Sequence, residues 1–184
     1  MTSSILDSVP SAALKVRSGD LEGALSEYLA SFDGEDSNIA TAIGYLYSRK
    51  GIGRFDLDKA FEYYSIGAAG GISYANHALG GLLMRLGKKS EALDQYIIGA
   101  QRGRMECAYN AYFLLKQSRR LGEAESMRDL AIKLGHPLAA RDQAFDLLFG
   151  HRGFKYVLSG LAQYIVLVPK LLSYSRAISS ARLE

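Results

Sequence analysis

Four nine-residue stretches decide how this chain folds: IATAIGYLY at 39–47, ANHALGGLL at 75–83, CAYNAYFLL at 107–115 and AARDQAFDL at 139–147. Laid over one another they put Gly44, Gly80, Tyr112 and Ala144 in one column, at steps of 36, 32 and 32 residues. Ile39, Ala75, Cys107 and Ala139 stand five positions earlier, and Tyr47, Leu83, Leu115 and Leu147 three positions later. Positions i, i+5 and i+8 fall on one broad side of an α-helix, here called helix A. A second column, Ala24, Ala60, Ala92 and Ala124, keeps the same steps. Four residues after its members come Tyr28, Tyr64, Tyr96 and, as an exception, Arg128. This is helix B. Small residues where the helices cross allow close approach, and the tyrosines and leucines fill the layers between pairs. A fixed period with two helices per unit implies an all-α fold, an α-solenoid of antiparallel helix pairs.

Glycine supplies the punctuation. Breaks are expected near Gly19, Gly34, Gly51 to Gly53, Gly71, Gly87, Gly103, Leu121-Gly122 and Gly135, leaving about nine antiparallel helical segments over 4–149 and no strand. Gly71, Gly103 and Gly135 follow helix B, where a left-handed residue ends a helix most easily. Gly87 and Gly122 are expected in the turns between helices A and B. Pro137 suits the first turn of a helix, whereas Pro10 and Pro169 lie outside the repeats.

Length and composition agree with one body. The chain has 184 residues, 48% hydrophobic and 22% charged, as in a folded soluble protein. Charge divides it: 17 Lys and Arg against 18 Asp and Glu give −1 over 1–149, and 5 against 1 give +4 over 150–184. The expected organisation is therefore a repeat domain over 1–149 and a basic, apolar helical extension over 150–184. No dense basic stripe covers the repeats, so nucleic acid is not an expected partner. Residues 1–7 lack the basic and apolar regions of a secretory signal, which points to the cytoplasm. The lone Cys107 occupies a small-residue slot of helix A and reads as core. His77, His136 and His151 have no metal-ligand spacing. Asp56-x-Asp58 reads as a cap for helix B rather than a cation site. Gly51-Ile52-Gly53 lacks the strand and helix context of a phosphate loop. Neither enzyme activity, cofactor nor metal is expected.

Between Ile39 and Gly80 the residues Ile43-Gly44, Tyr47, Gly51-Ile52-Gly53, Asp56, Lys59-Ala60, Tyr63-Tyr64, Ala68-Ala69, Gly71, Ala75 and Leu79-Gly80 resemble the Sel1-like repeat, a relative of the tetratricopeptide repeat. The Gly-x-Gly loop, four residues longer than its counterparts, carries that likeness. The later units connect their helices through Gly87-Lys88-Lys89-Ser90-Glu91 and Leu121-Gly122-Glu123 and look more like degenerate tetratricopeptide units. The resemblance runs over roughly 20–147 and has no counterpart for the last 35 residues. It implies a scaffold or adaptor that binds a protein or peptide.

In tetratricopeptide-like stacks the concave face is lined by helix A residues flanking the small-residue position. Carried onto this sequence, that face takes Thr41, Tyr45, Ser48 and Arg49 from one unit and His77, Met84 and Arg85 from the next. Tyr109, Phe113, Lys116 and Gln117 follow, then Arg141 with Phe145 and Phe149. One basic residue per unit beside aromatic rings suits an acidic peptide or a free C-terminal carboxylate.

The extension reads FKYVLSGLAQYIVLVPKLL from Phe154, with no charge from Tyr156 to Pro169. Those 14 residues make a helix of about 21 Å, shorter than the ~30 Å a bilayer core needs. Two readings stand. The segment caps the apolar end of the repeats, or it touches a membrane or membrane-embedded partner through Phe154, Val157, Leu158, Leu161, Ile165, Val168 and Leu172. In the second reading Arg152, Lys155, Lys170, Arg176 and Arg182 assist, and the protein is peripheral at the membrane.

Overall fold

The structure, a computed structural model, describes residues 3–50, 53–149 and 154–181, with side chains over 5–50, 53–149 and 157–175. Among them every regular element is helical. A short turn α1 (Ser3–Leu6) precedes α2 (Pro10–Ser18), α3 (Leu21–Ser31), α4 (Ser37–Tyr47), α5 (Leu57–Ala69), α6 (Ser73–Arg85) and α7 (Lys89–Gln101). Then come α8 (Met105–Gln117), α9 (Leu121–Lys133), α10 (Pro137–Phe149) and α11 (Phe154–Ala181). Helices A are α4, α6, α8 and α10; helices B are α3, α5, α7 and α9. The chain separates into two compact units, 1–107 and 108–184, with α8 crossing from one to the other.

In the first unit the two columns meet as the sequence implies. A Cβ on Gly44 would fall 2.9 Å from Tyr64 Cδ1, and one on Gly80 would fall 2.7 Å from Tyr96 Cδ1 and nearer still to Cε1. Each ring therefore fills the space of an absent side chain. One step earlier Ala12 and Tyr28 hold the corresponding positions, both fully buried, and Tyr28 Oη donates to the Leu6 carbonyl at 2.5 Å. Thus α2 and α3 form an additional pair, and Pro10 opens its helix A instead of lying outside the array. Between pairs, Gly67 packs on Thr41 and Ala75, and Gly99 on Cys107, whose Sγ would be 2.5 Å from an added Cβ. Cys107 is fully buried there, and burial pushes its thiol up to about 12. Asp20, Asp36 and Asp56 cap α3, α4 and α5, Asp56 accepting from the Asp58 and Lys59 amides at 3.0 Å each.

The left-handed residues recur. Gly71, Gly87, Gly103 and Gly135 have φ of 92°, 74°, 85° and 94°. One expected break moves: α9 begins at Leu121, so Gly122 lies in its first turn, and the left-handed position is Arg119 with φ 58°. Arg119 stands 32 residues after Gly87, and the hydrogen bond from the Arg120 amide to the Leu115 carbonyl at 3.0 Å repeats that from Lys88 to Leu83 at 2.9 Å. The turn survives without its glycine because the bond pattern, more than the residue type, ends the helix.

In the second unit the column at 128 changes character. Arg128 packs its guanidinium 6.0 Å from the Tyr112 ring centroid and donates to Asp146 Oδ2 at 2.5 Å. The ring has moved from helix B to helix A, and the small partner at Gly44 and Gly80 has gone with it. One step further, Gly160 of α11 lies against the Ala144 carbonyl, 2.9 Å from a would-be Cβ, and against Leu147 and Leu148. Residue 160 is 32 after 128, so α11 packs on α10 in the register of a helix B. The helix extends beyond the expected end at Leu172, through Pro169, to Ala181. Its 28 residues span about 42 Å, and Val157–Ser175 form 19 residues of mean hydropathy 1.4, only 6% of them buried. The expectation of a stretch too short to cross a bilayer is thereby corrected. Pro169 and Lys170 do not end the helix, and by length and composition this segment suffices.

Adjacent glycines give a test. Gly80 meets Tyr96, whereas a Cβ on Gly81 meets nothing within 4 Å. In denaturant melts Gly80→Ala is expected to destabilise by about 1–3 kcal/mol through overpacking. Gly81→Ala should be neutral or stabilising by up to about 1 kcal/mol through helix propensity. Equal effects would place the crossing elsewhere.

Candidate partner-binding face

The helix A residues of the first unit build a cluster of phenols and cations. Tyr45 is on α4, and Ser48 and Arg49 follow directly as the helix ends. Arg49 Cζ stands 5.4 Å from the centre of the Tyr45 ring. Ser48 Oγ donates to the Tyr45 carbonyl at 2.7 Å and lies 3.3 Å from Tyr64 Oη. On α6, Tyr74 tilts against Tyr64 at 6.3 Å and His77 against Tyr96 at 6.2 Å. Arg104, in the turn before α8, covers Tyr74 at 5.0 Å. Its Nη2 donates to Glu106 Oε1 at 3.4 Å, and its buried Nε faces Glu106 Oε2 at 3.4 Å as an ion pair without a hydrogen bond.

The electrostatics tie these groups together. Burial, then the neighbouring Tyr45, push the Tyr74 phenol up; its hydrogen bond with Tyr64 pulls it back, and Arg104 and Arg49 add to that. One hydroxyl thus feels both guanidiniums. Burial holds His77 below its ordinary 6.5, and Arg104 adds to that. The arrangement offers two cations and several hydroxyls beside flat apolar rings, a chemistry suited to an anion attached to an apolar or aromatic group.

Two expected members do not take part. Thr41 is fully buried, donates to the Ser37 carbonyl at 2.6 Å and fills the space beside Gly67, so it cannot line a surface. The reason is its position in the column that packs one pair on the next. Arg85 borders a different cleft of about 270 Å³ with Leu57, Phe61, Leu86 and Lys88, toward α5. Met84 is half-buried.

In the second unit the expected residues are partly engaged with one another. Tyr109 Oη donates to Asp142 Oδ2 at 2.9 Å, and Arg141 donates to Asp142 Oδ1 through Nε at 3.0 Å and Nη2 at 2.7 Å. His136, nearly fully buried, stacks on Tyr109 at 4.3 Å and accepts the Ala139 amide at 3.3 Å on Nδ1. Lys116 donates to Tyr112 Oη at 3.1 Å. Phe113, Lys116 and Gln117 are exposed, as are Phe145 and Phe149, whose rings stack at 5.9 Å.

Residues of α11 divide into two stripes. Val157, Gly160, Tyr164, Leu167, Leu171 and Tyr174 are buried or half-buried, with Tyr164 at 5.2 Å from Phe145 and Tyr174 at 5.9 Å from His136. Leu158, Leu161, Ile165, Val168 and Leu172 form an exposed stripe at spacings of three and four. Val157 therefore leaves the expected contact set. The Phe154 side chain, Arg152, the Lys155, Arg176 and Arg182 side chains, and Gly51-Ile52 lie outside the described residues.

Arg104 and His136 were not among the expected site residues. Both directly follow a left-handed glycine, at a step of 32, in the column Ile72, Arg104, His136. A cation and an imidazole in a column that elsewhere holds isoleucine are the sequence signal.

Among the described residues no group of three or more His, Cys, Asp or Glu could hold a metal ion. No family model matches the sequence, and no curated protein matches it. Solved structures do match. A Sel1 repeat protein from Oxalobacter formigenes superposes with a TM-score of 0.74 at 20% identity, covering 87% of this chain and 69% of that one. YrrB, described as a TPR protein with an unusual peptide-binding site, gives 0.58 at 18% identity, covering 91% and 88%. The protective antigen c5321 of uropathogenic Escherichia coli, which has the SLR fold, gives 0.63 at 19% identity, covering 80% of this chain and 37% of that one.

The histidine supplies a pH test. His77 is depressed when folded, so the unfolded chain takes its proton more readily. Its contribution is intact above about pH 6.5 and is lost as pH falls toward the lowered folded value. Urea titrations between about pH 7 and pH 5 should show His77→Gln losing less stability than the native chain over that interval. Parallel losses would refute the buried, neutral imidazole.

Proposed function

On the premise that the chain has the Sel1-like, tetratricopeptide-like repeat fold, we propose that it is a non-catalytic, cytoplasmic scaffold that takes a protein or peptide partner on its helix A face. The observation that carries this is the pair Arg49 and Arg104, each laid on a tyrosine ring and both acting on the Tyr74 phenol. A carboxylate there would receive charge-assisted hydrogen bonds from Arg49 and, in competition with the long Glu106 ion pair, from Arg104. Its neighbouring side chain would rest on Tyr45 and His77. The proposed ligand is a peptide ending in a free carboxylate or carrying acidic side chains. Tyr109, Phe113, Lys116 and Gln117 offer a second, separate patch in the other unit, where Arg141 is already held by Asp142.

The test uses a fluorescein-labelled peptide ending in Asp-Asp-Phe, as the free acid and as the C-terminal amide. The acid should bind more tightly, and Arg49→Ala or Arg104→Ala should each weaken it by about 1–3 kcal/mol while leaving the amide little changed. Equal binding of acid and amide would reject carboxylate recognition.

A second reading follows from α11. Its exposed stripe of Leu158, Leu161, Ile165, Val168 and Leu172 belongs to a segment, 150–184, whose sequence has five basic residues against one acidic. This suits peripheral contact with an anionic bilayer, the other stripe remaining on α10. Sedimentation with vesicles containing phosphatidylserine should carry down the full chain. Ile165→Glu with Leu161→Glu should abolish that without lowering the melting temperature. Sedimentation that persists in the double variant would overturn this reading.

A further inference from the structure

A polar cluster on the opposite side of the first unit breaks the repeat. The column containing Asn76 otherwise reads Ala40, Ala108 and Ala140. That of Gln95 reads Glu27, Tyr63 and Met127, and that of Arg102 reads Gly34, Gly70 and Leu134. Asn76, Gln95 and Arg102 fall together in one pair and bond to one another. Asn76 is 1% exposed. Its amide donates to Gln95 Oε1 at 2.9 Å, and its Oδ1 accepts from Arg102 Nη1 at 2.7 Å, the same nitrogen that reaches the Ala68 carbonyl at 2.7 Å. A buried carboxamide left without partners loses its hydrogen bonds to water with nothing in return, so the asparagine needs both partners. Alanine would need neither.

The cluster floors and walls a cleft of about 490 Å³ between α5 and α7, with α6 beneath. That volume is within the range of small-ligand and peptide pockets. With Oε1 turned to Asn76, the Gln95 amino group is left for the cleft, and Arg102 keeps its remaining donors. Asp94 stands at the other end, eight residues earlier and about 12 Å along the helix. It forms no ion pair among the described residues. Phe61 and Ile98 supply apolar walls between the two ends.

We infer that this cleft binds an extended peptide segment of three or four residues, with a basic side chain at Asp94 and a backbone carbonyl or terminal carboxylate at Arg102. An extended chain advances about 3.3–3.6 Å per residue, so three or four residues match the 12 Å between the charges. The middle residue presents an apolar side chain to Phe61 and Ile98, and Gln95 donates to its carbonyl. The site is separate from the helix A face and does not depend on it.

The probe is acetyl-Lys-Leu-Ala with a free carboxyl group, added to the ¹⁵N-labelled full chain and followed through the Gln95 side-chain amide and Arg102 Nε resonances. Saturable shifts are expected, with acetyl-Glu-Leu-Ala binding at least about tenfold more weakly, or roughly 1.4 kcal/mol. Asp94→Ala, at the exposed rim, should produce a similar loss. Asn76→Ala, which installs the residue of the neighbouring pairs, should free Gln95 and Arg102 and weaken binding while retaining the helical circular dichroism. Arg49→Ala should change nothing here, so failure of the helix A site and failure of this one are distinguishable. Unmoved Gln95 and Arg102 resonances at millimolar peptide, equal binding of the Lys and Glu peptides, or full binding by Asp94→Ala would each overturn the assignment.

Discussion

Each helix pair in the first unit is closed by a phenol ring set into the gap of a missing side chain. Tyr64 over Gly44 and Tyr96 over Gly80 carry out that exchange, and nearly everything else follows from it. A ring packed against a glycine lets two helices approach while still burying a large apolar surface. Close approach then aligns the second crossing, where Gly67 and Gly99 receive Thr41 and Cys107 from the next helix A. The rows of Tyr45, Tyr74 and His77 are presented on one side because both crossings are satisfied on the others.

The exchange changes form along the chain without being lost. Tyr112 puts the ring on helix A, and the residue opposite becomes Arg128, whose flat guanidinium packs against it and pairs with Asp146. At the last step both residues are small, Ala144 and Gly160, and α11 comes close enough that a Cβ at 160 would meet backbone. A volume rule therefore describes the array better than a residue rule. Large may sit on either helix, provided its partner gives way or is flat enough to stack.

That distinction explains what was legible in the sequence. The columns at 44 and 24, the caps at Asp56 and Pro137, and the turns at Gly71, Gly103 and Gly135 were all readable because backbone and size constraints repeat at a fixed step. The turn at Arg119 was misplaced because its constraint is a hydrogen-bond pattern that leaves no mark on residue type. The tetratricopeptide-like resemblance places Thr41 on the concave face; its burial depends on Gly67, a residue on another helix. Arg104 was missed although its column is periodic, since a cation after a glycine looks like an ordinary solvated residue until Tyr74 is found beneath it. The end of α11 lies beyond the expected Leu172 because the stretch that follows it, Ser173 to Ala181, carries no apolar pattern yet continues the helix.

The same register argues about what covers α11. Interior B helices prepare for the next pair with a small residue: Gly67, Gly99 and Ala131 are spaced by 32. The next member of that column is Gln163, exposed on α11. A carboxamide in place of a hydrogen or methyl group prevents another helix A from settling at the distance used elsewhere, so the array has no seat for a further repeat. Yet the residues around Gln163, Leu161, Ile165, Val166 and Val168 among them, are as apolar as an interior face. Under the membrane contact proposed above, a surface that rejects close helix packing but favours removal from water would meet a fluid apolar phase rather than a rigid one. Lipid chains conform to any contour, while Gln163 can reach along the helix to interfacial water and headgroups.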